Sequence, residues 1–401
     1  MGLDQKPTTT TKQRPAKRVG TGFNPNSPKQ VAHLVYDILG APPPKDFKLS
    51  RRSTDKGVLA DLGEDYPIVK QVIVYRRVSK LKSSYLEKFS RLADSLHRVH
   101  TELWLPGTET GRLSTIGGVP LLTIPRASDK EEGQFGKIIK DCLVAQEGYV
   151  LLQADSSQSE LRIGADMSGD PFLVKGYNTP GFDLHSATAT ALFGPNYKKE
   201  ERDACKDINF AFLYGGSEKS LSKAFMRRSH VGIDHERAIS LVKDYMQLMS
   251  GLVAFREAQF EKLKAQGYIE TLTGRRRRFP LITELNEDEA RKAATNMPIQ
   301  GLSSDIILIA VNELTTMLDA AARAALPGGV RVGGAGVENC RILLTVHDSI
   351  VLEVQDNPTV ISYWAILIAD RICDVASRFV KSVPWQVECK VGNRWGSLET
   401  I

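Results

Sequence analysis

The chain has 401 residues and a formal net charge of +6, with 42% hydrophobic and 25% charged residues. This length can hold a large core divided among subdomains, and the composition is typical of a soluble globular protein. No apolar run reaches the ~18 residues that a membrane span needs, and no signal core is present, so we expect neither membrane binding nor secretion. The excess of positive charge favours a polyanionic partner only weakly.

Five scattered cysteines, without a close pair, argue against a zinc site or a disulfide framework and indicate reduced thiols in a cytoplasmic protein. Residues 1–22 hold four consecutive threonines and several basic residues, which predicts a disordered basic tail or linker. A helix is expected to follow, with Ser27 as its N-cap and Pro28 in its first position.

Residues 66–92 have helical apolar spacing and a dense basic face. This face either is merely solvated or binds phosphates. Its members are Lys70, Arg76, Arg77, Lys80, Lys82, Lys88 and Arg91.

Residues 149–152 form a short apolar run that predicts a buried strand ending at Asp155. A helix should begin next, with Ser156 or Ser157 as its N-cap. A carboxylate at the end of a buried strand is rigid yet accessible, as metal-assisted chemistry requires, although an Asp that only caps the helix is the alternative.

Further along, Arg202, Lys206, Phe210 and Tyr214 recur every four residues of a predicted helix. Each step advances about 40° beyond a full turn, so the four side chains share one broad face. Two cations followed by two aromatic rings suit a nucleotide, with the triphosphate at the cations. An amphipathic helix that buries its aromatic residues would explain the rings alone.

The four arginines at 275–278 are either solvated or in contact with a phosphate backbone. Residues 296–301 are predicted to interrupt a helical region, because Pro298 breaks the backbone ladder and Gly301 permits close approach. A helix from Leu302 to about Leu326 and a glycine-rich connector at 327–336 should follow.

Residues 341–354 predict a β-hairpin with His347, Asp348 and Ser349 at its tip. Asp348 is thus a second strand-end carboxylate beside Asp155. Together the two could hold two divalent metals, the arrangement that suits in-line displacement at phosphorus.

The motifs, in this order, resemble those of DNA polymerase family A. Residues 155–162 match the first palm motif of that family, with Ser156 where an aromatic residue is usual. Residues 346–349 match the last palm motif, with Ser349 where a glutamate is usual. Several further motifs, long and in order, extend the resemblance from about Phe23 to Trp395. It implies an α+β, right-hand palm–thumb–fingers polymerase with an antiparallel palm sheet and mostly helical fingers and thumb.

The resemblance also implies a domain order. A thumb, truncated on its N-terminal side, would occupy 23–108, followed by the first part of the palm at 109–170. The fingers would then span 171–290 and the second part of the palm 291–401.

By the same resemblance, Asp155 and Asp348 hold two Mg²⁺ ions, for which Mn²⁺ can substitute. One ion would lower the pKa of the primer 3′-hydroxyl, and the other would neutralise the leaving pyrophosphate, to which Lys206 could donate a proton. Glu160, packed near Tyr214, would exclude the ribose 2′-hydroxyl and so select deoxynucleotides. Gln158 and His185 would support the nucleotide site.

The primer–template DNA would be contacted by a further group of residues. Arg112 and Gln300 would reach the minor groove at the primer end, with Asn296 near the template. His347 would orient the hairpin tip and the primer-end phosphate. The arginines of the run, Arg275, Arg276, Arg277 and Arg278, would contact the DNA backbone.

Two departures from the family pattern leave alternatives open. The usual exonuclease domain and long thumb helix do not precede Phe23, so we expect no proofreading, and a separate exonuclease or thumb polypeptide is a possible partner. A compact enzyme of this kind suggests a phage or mobile-element source. Ser349 could weaken catalysis without abolishing it.

Two competing interpretations remain. One is a polymerase-like subunit that binds template–primer without chemistry. The other is a polymerase that uses or makes RNA; Glu160 argues against ribonucleotide use.

Overall fold

The computed structural model describes residues 22–44, 50–125, 131–227, 233–325, 336–337 and 339–401. The predicted tail and most of the predicted connector therefore lie outside the described residues. The chain divides into two compact units, one ending at Ser84 and the other beginning at Tyr85.

The first unit is helical in its described part. Its elements are α1 (Pro28–Ala32), a π-helical segment (His33–Ile38), α2 (Lys56–Gly63) and α3 (Pro67–Leu81). The Ser27 hydroxyl accepts a hydrogen bond from the Gln30 amide and Pro28 opens α1, so the predicted N-terminus of this helix is confirmed. Val31, Val35, Leu59 and Val69 form the centre of a small apolar core.

The predicted basic helical face at 66–92 is only partly correct. α3, a π-helical turn (Lys82–Leu86) and α4 (Glu87–Leu92) cover this range. Arg76, however, is half-buried and donates to the carbonyl oxygens of Pro25 and Thr54 at 2.6 and 2.8 Å. It ties two loops to α3 and is not a solvated member of the face.

The second unit begins at the end of the π-helical turn and includes α4. A two-stranded antiparallel sheet follows, formed by β1 (Thr101–Trp104) and β2 (Ser114–Gly118). The next elements are α5 (Glu131–Asp141), β3 (Tyr149–Ser156), α6 (Ser159–Ser168), α7 (Pro171–Tyr177), α8 (Leu184–Phe193), α9 (Lys199–Leu213), α10 (Glu218–Arg227), α11 (His235–Leu248) and α12 (Ser250–Gln266).

The rest of the second unit completes the main sheet. Its elements are β4 (Tyr268–Glu270), β5 (Arg276–Arg278), α13 (Glu287–Ala325), β6 (Gly336–Val337), β7 (Cys340–Val346), β8 (Ser349–Gln355), α14 (Pro358–Ser377), β9 (Val387–Gly392) and β10 (Glu399–Thr400). β4 and β5 form a small antiparallel ladder of their own.

The main sheet has six strands in the order β10-β9-β3-β8-β7-β6, and its neighbours are antiparallel. β3 therefore lies between β9 and β8. Successive side chains of a strand point to opposite faces. Leu152 and Ala154 are fully buried in the core that includes Ile368 of α14, so Gln153 and Asp155 belong to the opposite face. The core thus fixes the face on which Asp155 appears.

α13 differs from the sequence prediction. It runs unbroken for 39 residues with Pro298 inside it, so the predicted interruption at 296–301 is wrong. The lost backbone bond costs about 3 kcal/mol, but Met297, Ile299 and Leu302 around the proline are fully buried, and that packing holds the helix together. The close approach predicted at Gly301 is confirmed, since a Cβ there would lie 2.5 Å from Thr271 Cγ2.

α13 also bears on the expectation that the chain has no membrane-spanning segment. By length and composition alone, its stretch Glu287–Asp319 would pass as a membrane span. However, 56% of its apolar window is buried inside the structure. Buried core helices of soluble proteins also meet these criteria of length and composition, so α13 is weak evidence for a membrane span.

Candidate active site

Three polar side chains lie in one row across the centre of the main sheet. Asp155 near the end of β3 pairs directly with Ser349 of β8 on one side and with Glu388 of β9 on the other. Directly opposed residues of antiparallel strands project from the same face, with Cβ atoms about 5 Å apart. The sheet register therefore puts Glu388, Asp155 and Ser349 side by side on the face opposite that of Leu152 and Ala154.

The second carboxylate lies in the turn beside this row. β7 and β8 are joined by His347 and Asp348 alone, and His347 has a φ of 57°, as the first position of a tight hairpin turn requires. The amide of Ser156 donates to the Asp348 carbonyl at 3.0 Å. The predicted hairpin is confirmed, with Ser349 as the first residue of β8. Asp155 and Asp348 are thus neighbours across adjacent strand ends.

The segment between β3 and α6 differs from the prediction at one point. Ser156 still belongs to β3 and the Ser157 amide donates to Gln386, so neither serine caps the helix. Gln158 takes the N-cap position in a left-handed conformation with a φ of 54°. The Tyr177 hydroxyl donates to Gln158 Oε1 at 2.8 Å and fixes this side chain. The strand continues farther than expected because β9 pairs with it through Ser156.

The two aspartates of the site match the way in which proteins usually bind magnesium. In the part of the chain that the structure describes, no group of three or more His, Cys, Asp or Glu side chains forms a ready-made metal cage. Mg²⁺ usually binds through one or two carboxylates and completes its shell with water and substrate phosphates. Asp155 and Asp348 match that pattern. Asp155 also faces Glu388, and directly opposed like charges are unfavourable unless a cation lies near them.

The Ser349 hydroxyl forms its hydrogen bonds within the sheet and the hairpin turn. Its buried hydroxyl donates back to the Val346 carbonyl at 3.0 Å across the hairpin turn. Gln153 Nε2 approaches the same hydroxyl at 3.4 Å. Ser349 therefore stabilises the turn from which Asp348 projects.

Glu160 and Arg112 form an ion pair that the sequence did not predict. Glu160, in the first turn of α6, is 6% exposed, and its Oε1 accepts from Arg112 Nη2. Its second carboxylate oxygen, Oε2, is buried without a hydrogen-bond partner in the described structure. Arg112 also lines a small pocket together with His347 and Thr345. The residues proposed for sugar selection and for the primer end are therefore coupled directly.

The α9 face has the expected composition. Phe210 and Tyr214, the C-cap of α9, stack with ring centroids 6.1 Å apart. Lys206 is exposed, one turn before Phe210. Arg202 is bound by Asp183, the N-cap of α8, with Nη2 and Oδ2 at 2.6 Å, and this hydrogen bond raises the pKa of Arg202. Any anion that binds Arg202 has to compete with this carboxylate.

His185 lies behind the α9 face. Its ring is buried, and the centroids of the His185 and Phe210 rings are 5.7 Å apart. Asn209 Nδ2 lies 3.1 Å from His185 Nδ1. Burial lowers the pKa of His185 to about 4, so the imidazole is neutral at neutral pH. A neutral Nδ1 can then accept from the Asn209 amide. This arrangement suits a supporting role for His185.

Three of the four consecutive arginines have carboxylate partners. Arg275 Nη2 lies 2.6 Å from Asp305 of α13, and Arg276 pairs with Glu270 of β4. Arg277 lies between Glu109 and Glu289. The fourth, Arg278, is exposed. Within the described residues, the positive charges of Arg275, Arg276 and Arg277 are thus balanced by carboxylates.

The helix that carries Asn296 and Gln300 is fixed to the segment that carries Arg112. Ser304 of α13 donates to the Gly111 carbonyl at 3.0 Å. Asn296 and Gln300 are both half-buried, and the Asn296 side-chain oxygen has no hydrogen-bond partner in the described structure. This oxygen is itself buried, so it is an unsatisfied hydrogen-bond acceptor inside the described structure.

Sequence reasoning missed two residues of the site, Glu388 and Ser159. Glu388 lies in β9, and its place opposite Asp155 depends on a strand register that no local signal gives. Ser159 lies within the first palm motif, and its hydroxyl donates to Asp348 Oδ2 at 3.1 Å. A serine at a helix start usually indicates only a cap.

Comparison with known proteins agrees with this geometry. Residues 4–397 match the family model described as DNA polymerase family A. The thermostable DNA polymerase I of Thermus filiformis is 34% identical over 388 residues, which cover 94% of this chain and 42% of that protein. The DNA polymerase I of Pseudomonas aeruginosa is 30% identical over 393 residues, which cover 94% of this chain and 38% of that protein.

A solved structure gives the same result. The POL domain of Pol1 from M. smegmatis, in a complex with DNA primer-template and dNTP, matches with a TM-score of 0.77 and 29% identity. The match covers 93% of this chain and 61% of that one. The chain belongs to DNA polymerase family A, and the predicted α+β polymerase fold with an antiparallel sheet is confirmed. It spans about two fifths of the length of the curated relatives that it matches.

Proposed function

We propose that this chain is a DNA-directed DNA polymerase that adds deoxynucleotides to a primer 3′-hydroxyl. The observation that carries this proposal is the register that brings Asp155 and Asp348 to adjacent strand ends in a chain of this family. The solved relative was complexed with primer-template DNA and dNTP, which supports the same two ligands here.

The domain assignment is part of this proposal. The segments 109–170 and 291–401 form the palm, with the fingers at 171–290 and the thumb at 23–108. The sheet that combines β3 with β7, β8 and β9 supports the union of the two palm segments, because its strands come from both.

Asp155 and Asp348 would hold two Mg²⁺ ions, which would activate the primer hydroxyl and neutralise charge on the leaving pyrophosphate. The protein contributes rigidity, since Asp155 belongs to a central strand and Asp348 to a two-residue turn. Such preorganisation avoids reorientation of the carboxylates during the reaction.

The incoming nucleotide lies along α9. Arg202 and Lys206 bind the triphosphate, and Phe210 and Tyr214 border the sugar and base, in the order in which the helix presents them. Exposed Lys206 donates a proton to the leaving pyrophosphate. His185 and Gln158 support this site, because one packs against Phe210 and the other is fixed by Tyr177.

Glu160 selects deoxynucleotides. Its carboxylate is buried beside Arg112, so a ribose 2′-hydroxyl near it would have to displace packed protein and lose water. Arg112 contacts the primer end from the minor groove together with Gln300, and the link between α13 and the Arg112 segment supports that pairing. Asn296 lies near the template.

His347 orients the primer-end phosphate from the exposed hairpin tip. The arginine run at 275–278 contacts the DNA backbone. Arg278 is exposed, and the other three arginines reach the backbone after exchange of their carboxylate partners.

Primer extension by the purified chain tests the proposal. With Mg²⁺, a DNA template and dNTPs, we expect templated elongation that EDTA abolishes. Parallel reactions with NTPs, or with an RNA template, test the competing interpretation of a polymerase that makes or uses RNA, which predicts elongation there instead. Primer–template binding without elongation under any of these conditions would contradict the proposal and indicate a non-catalytic subunit. Incubation without nucleotides tests the expectation that the chain does not degrade the primer.

A further inference from the structure

One buried chain of hydroxyl groups ends on the Asp348 carboxylate. Ser159 Oγ lies 3.1 Å from Asp348 Oδ2 and 3.0 Å from Ser303 Oγ. Ser159 is 2% exposed and Ser303 3% exposed, so water hardly competes for these bonds. The three residues belong to α6, α13 and the β7–β8 turn, which are three separate elements.

The proton count sets the direction of this chain. An ionised carboxylate only accepts hydrogen bonds, and each serine hydroxyl donates one proton. Ser159 therefore donates to Asp348, and Ser303 donates to Ser159. Each bond polarises the next, which strengthens the contact with the carboxylate in a site shielded from water.

The hydrogen bond from Ser159 to Asp348 affects the direction of the other Asp348 carboxylate oxygen, Oδ1. Asp348 projects from a two-residue turn and takes no part in the ladder between β7 and β8. The bond to Ser159 occupies Oδ2, and the orientation of the whole carboxylate then determines where Oδ1 points. Outer partners of metal-binding carboxylates typically change metal affinity about 10–100-fold when they are removed.

We propose that Ser159 and Ser303 are positioning residues that orient Asp348 for metal binding through a hydroxyl relay. The inference rests on the proposed function only in its use of Asp348 as a metal ligand. Neither serine touches substrate; Ser159 acts through Asp348, and Ser303 acts through Ser159.

Mn²⁺ binding provides a test that does not depend on turnover. Free Mn²⁺ is measured by electron paramagnetic resonance with the full chain, a dideoxy-terminated primer–template and dNTP. We expect Ser159→Ala to raise the Mn²⁺ Kd about tenfold, and Ser303→Ala to raise it by a smaller factor. Melting temperatures of both variants should stay close to that of the unchanged protein.

Two controls separate positioning from packing. Ser159→Thr keeps the hydroxyl and should retain Mn²⁺ affinity within a small factor of the unchanged protein. The double variant Ser159→Ala/Ser303→Ala should bind no more weakly than Ser159→Ala alone, since the outer serine acts only through the inner one. Additive losses would contradict the relay.

The possible results are distinguishable from those for the proposed function. Unchanged Mn²⁺ affinity in both single alanine variants would overturn the relay, even if the chain extends primers. If Ser159→Ala fails to fold, Ser303→Ala tests the relay by itself. Weaker Mn²⁺ binding by that variant would support the relay, and unchanged binding would refute it. If the unchanged chain extends no primer, the proposed function fails, while the Mn²⁺ comparison, run with the protein alone and with Asp348→Asn as reference, still tests the relay.

Discussion

The strand-end carboxylates and the α9 face are held in place by different means. Asp155 and Asp348 are positioned by backbone pairing at the centre of a six-stranded sheet. Arg202 on α9 is held by an ion pair with Asp183, and Lys206 is exposed. The groups that would bind metal are thus preorganised, whereas the cations that would bind triphosphate can exchange partners when a nucleotide arrives. Substitutions in the two regions should accordingly differ in kind.

The largest effect is expected at the carboxylates. Asp155→Asn and Asp348→Asn should each lower kcat by about 10³-fold, because a lost metal ligand removes about 4 kcal/mol of transition-state stabilisation. Single-turnover extension measures this loss, with primer–template affinity as the control for folding. Glu388→Gln, in the same row of the sheet but bonded to Lys390 and Thr400, should cost much less. Equal losses of kcat at Asp155, Asp348 and Glu388 would show that the total negative charge of the row controls the rate, and not the two aspartates as metal ligands.

Lys206 should rank next. Lys206→Ala is expected to lower kcat about 100-fold, the usual contribution of a positioned general acid. Lys206→Arg keeps the positive charge but gives up a proton poorly, so it should preserve the dNTP KM while kcat falls. An arginine variant with unchanged kcat would leave Lys206 as a phosphate ligand alone.

Glu160 should govern selectivity more than rate. Glu160→Ala should reduce discrimination between dNTP and NTP by about 10–100-fold in kcat/KM, because space opens for the 2′-hydroxyl. Glu160→Gln retains the shape but weakens the pair with Arg112. Competition assays should therefore find nearly normal discrimination in the glutamine variant. If both variants lose selectivity equally, the charge and not the volume of Glu160 would be responsible.

The smallest effects are expected from the exchangeable ion pair. Arg202→Ala should raise the dNTP KM about tenfold through the loss of one charge-assisted phosphate contact. Asp183→Asn should lower this KM about threefold, since a half-exposed pair of less than about 1 kcal/mol no longer competes. Asparagine caps helices as well as aspartate does, so α8 should keep its stability. Steady-state kinetics at fixed primer–template measures both, and a higher KM in Asp183→Asn would mean that Asp183 orients Arg202 productively.

Local patterns were sufficient for part of this site. The apolar run before Asp155 and the two apolar arms around His347 and Asp348 predicted a strand and a hairpin, and both are present. The spacing of Phe210 and Tyr214 likewise predicted their shared face. These features depend on periodicity, which the sequence displays directly.

Other features depend on contacts between distant segments. The left-handed Gln158 at the start of α6 and the continuous helix through Pro298 both go against local preference, and packing by other elements stabilises them. The Arg112–Glu160 and Arg202–Asp183 pairs join separate elements, as does the register that places Glu388 opposite Asp155. No spacing rule within one segment predicts such pairings.

The most direct test of the central claim is to locate the metals. Crystals of the chain with a dideoxy-terminated primer–template, dNTP and Mn²⁺ would give anomalous peaks at the bound ions. Two peaks, each within about 2–2.5 Å of carboxylate oxygens and bridging Asp155 and Asp348, are the predicted result. Peaks at the triphosphate that touch neither aspartate, or only one of them, would contradict it.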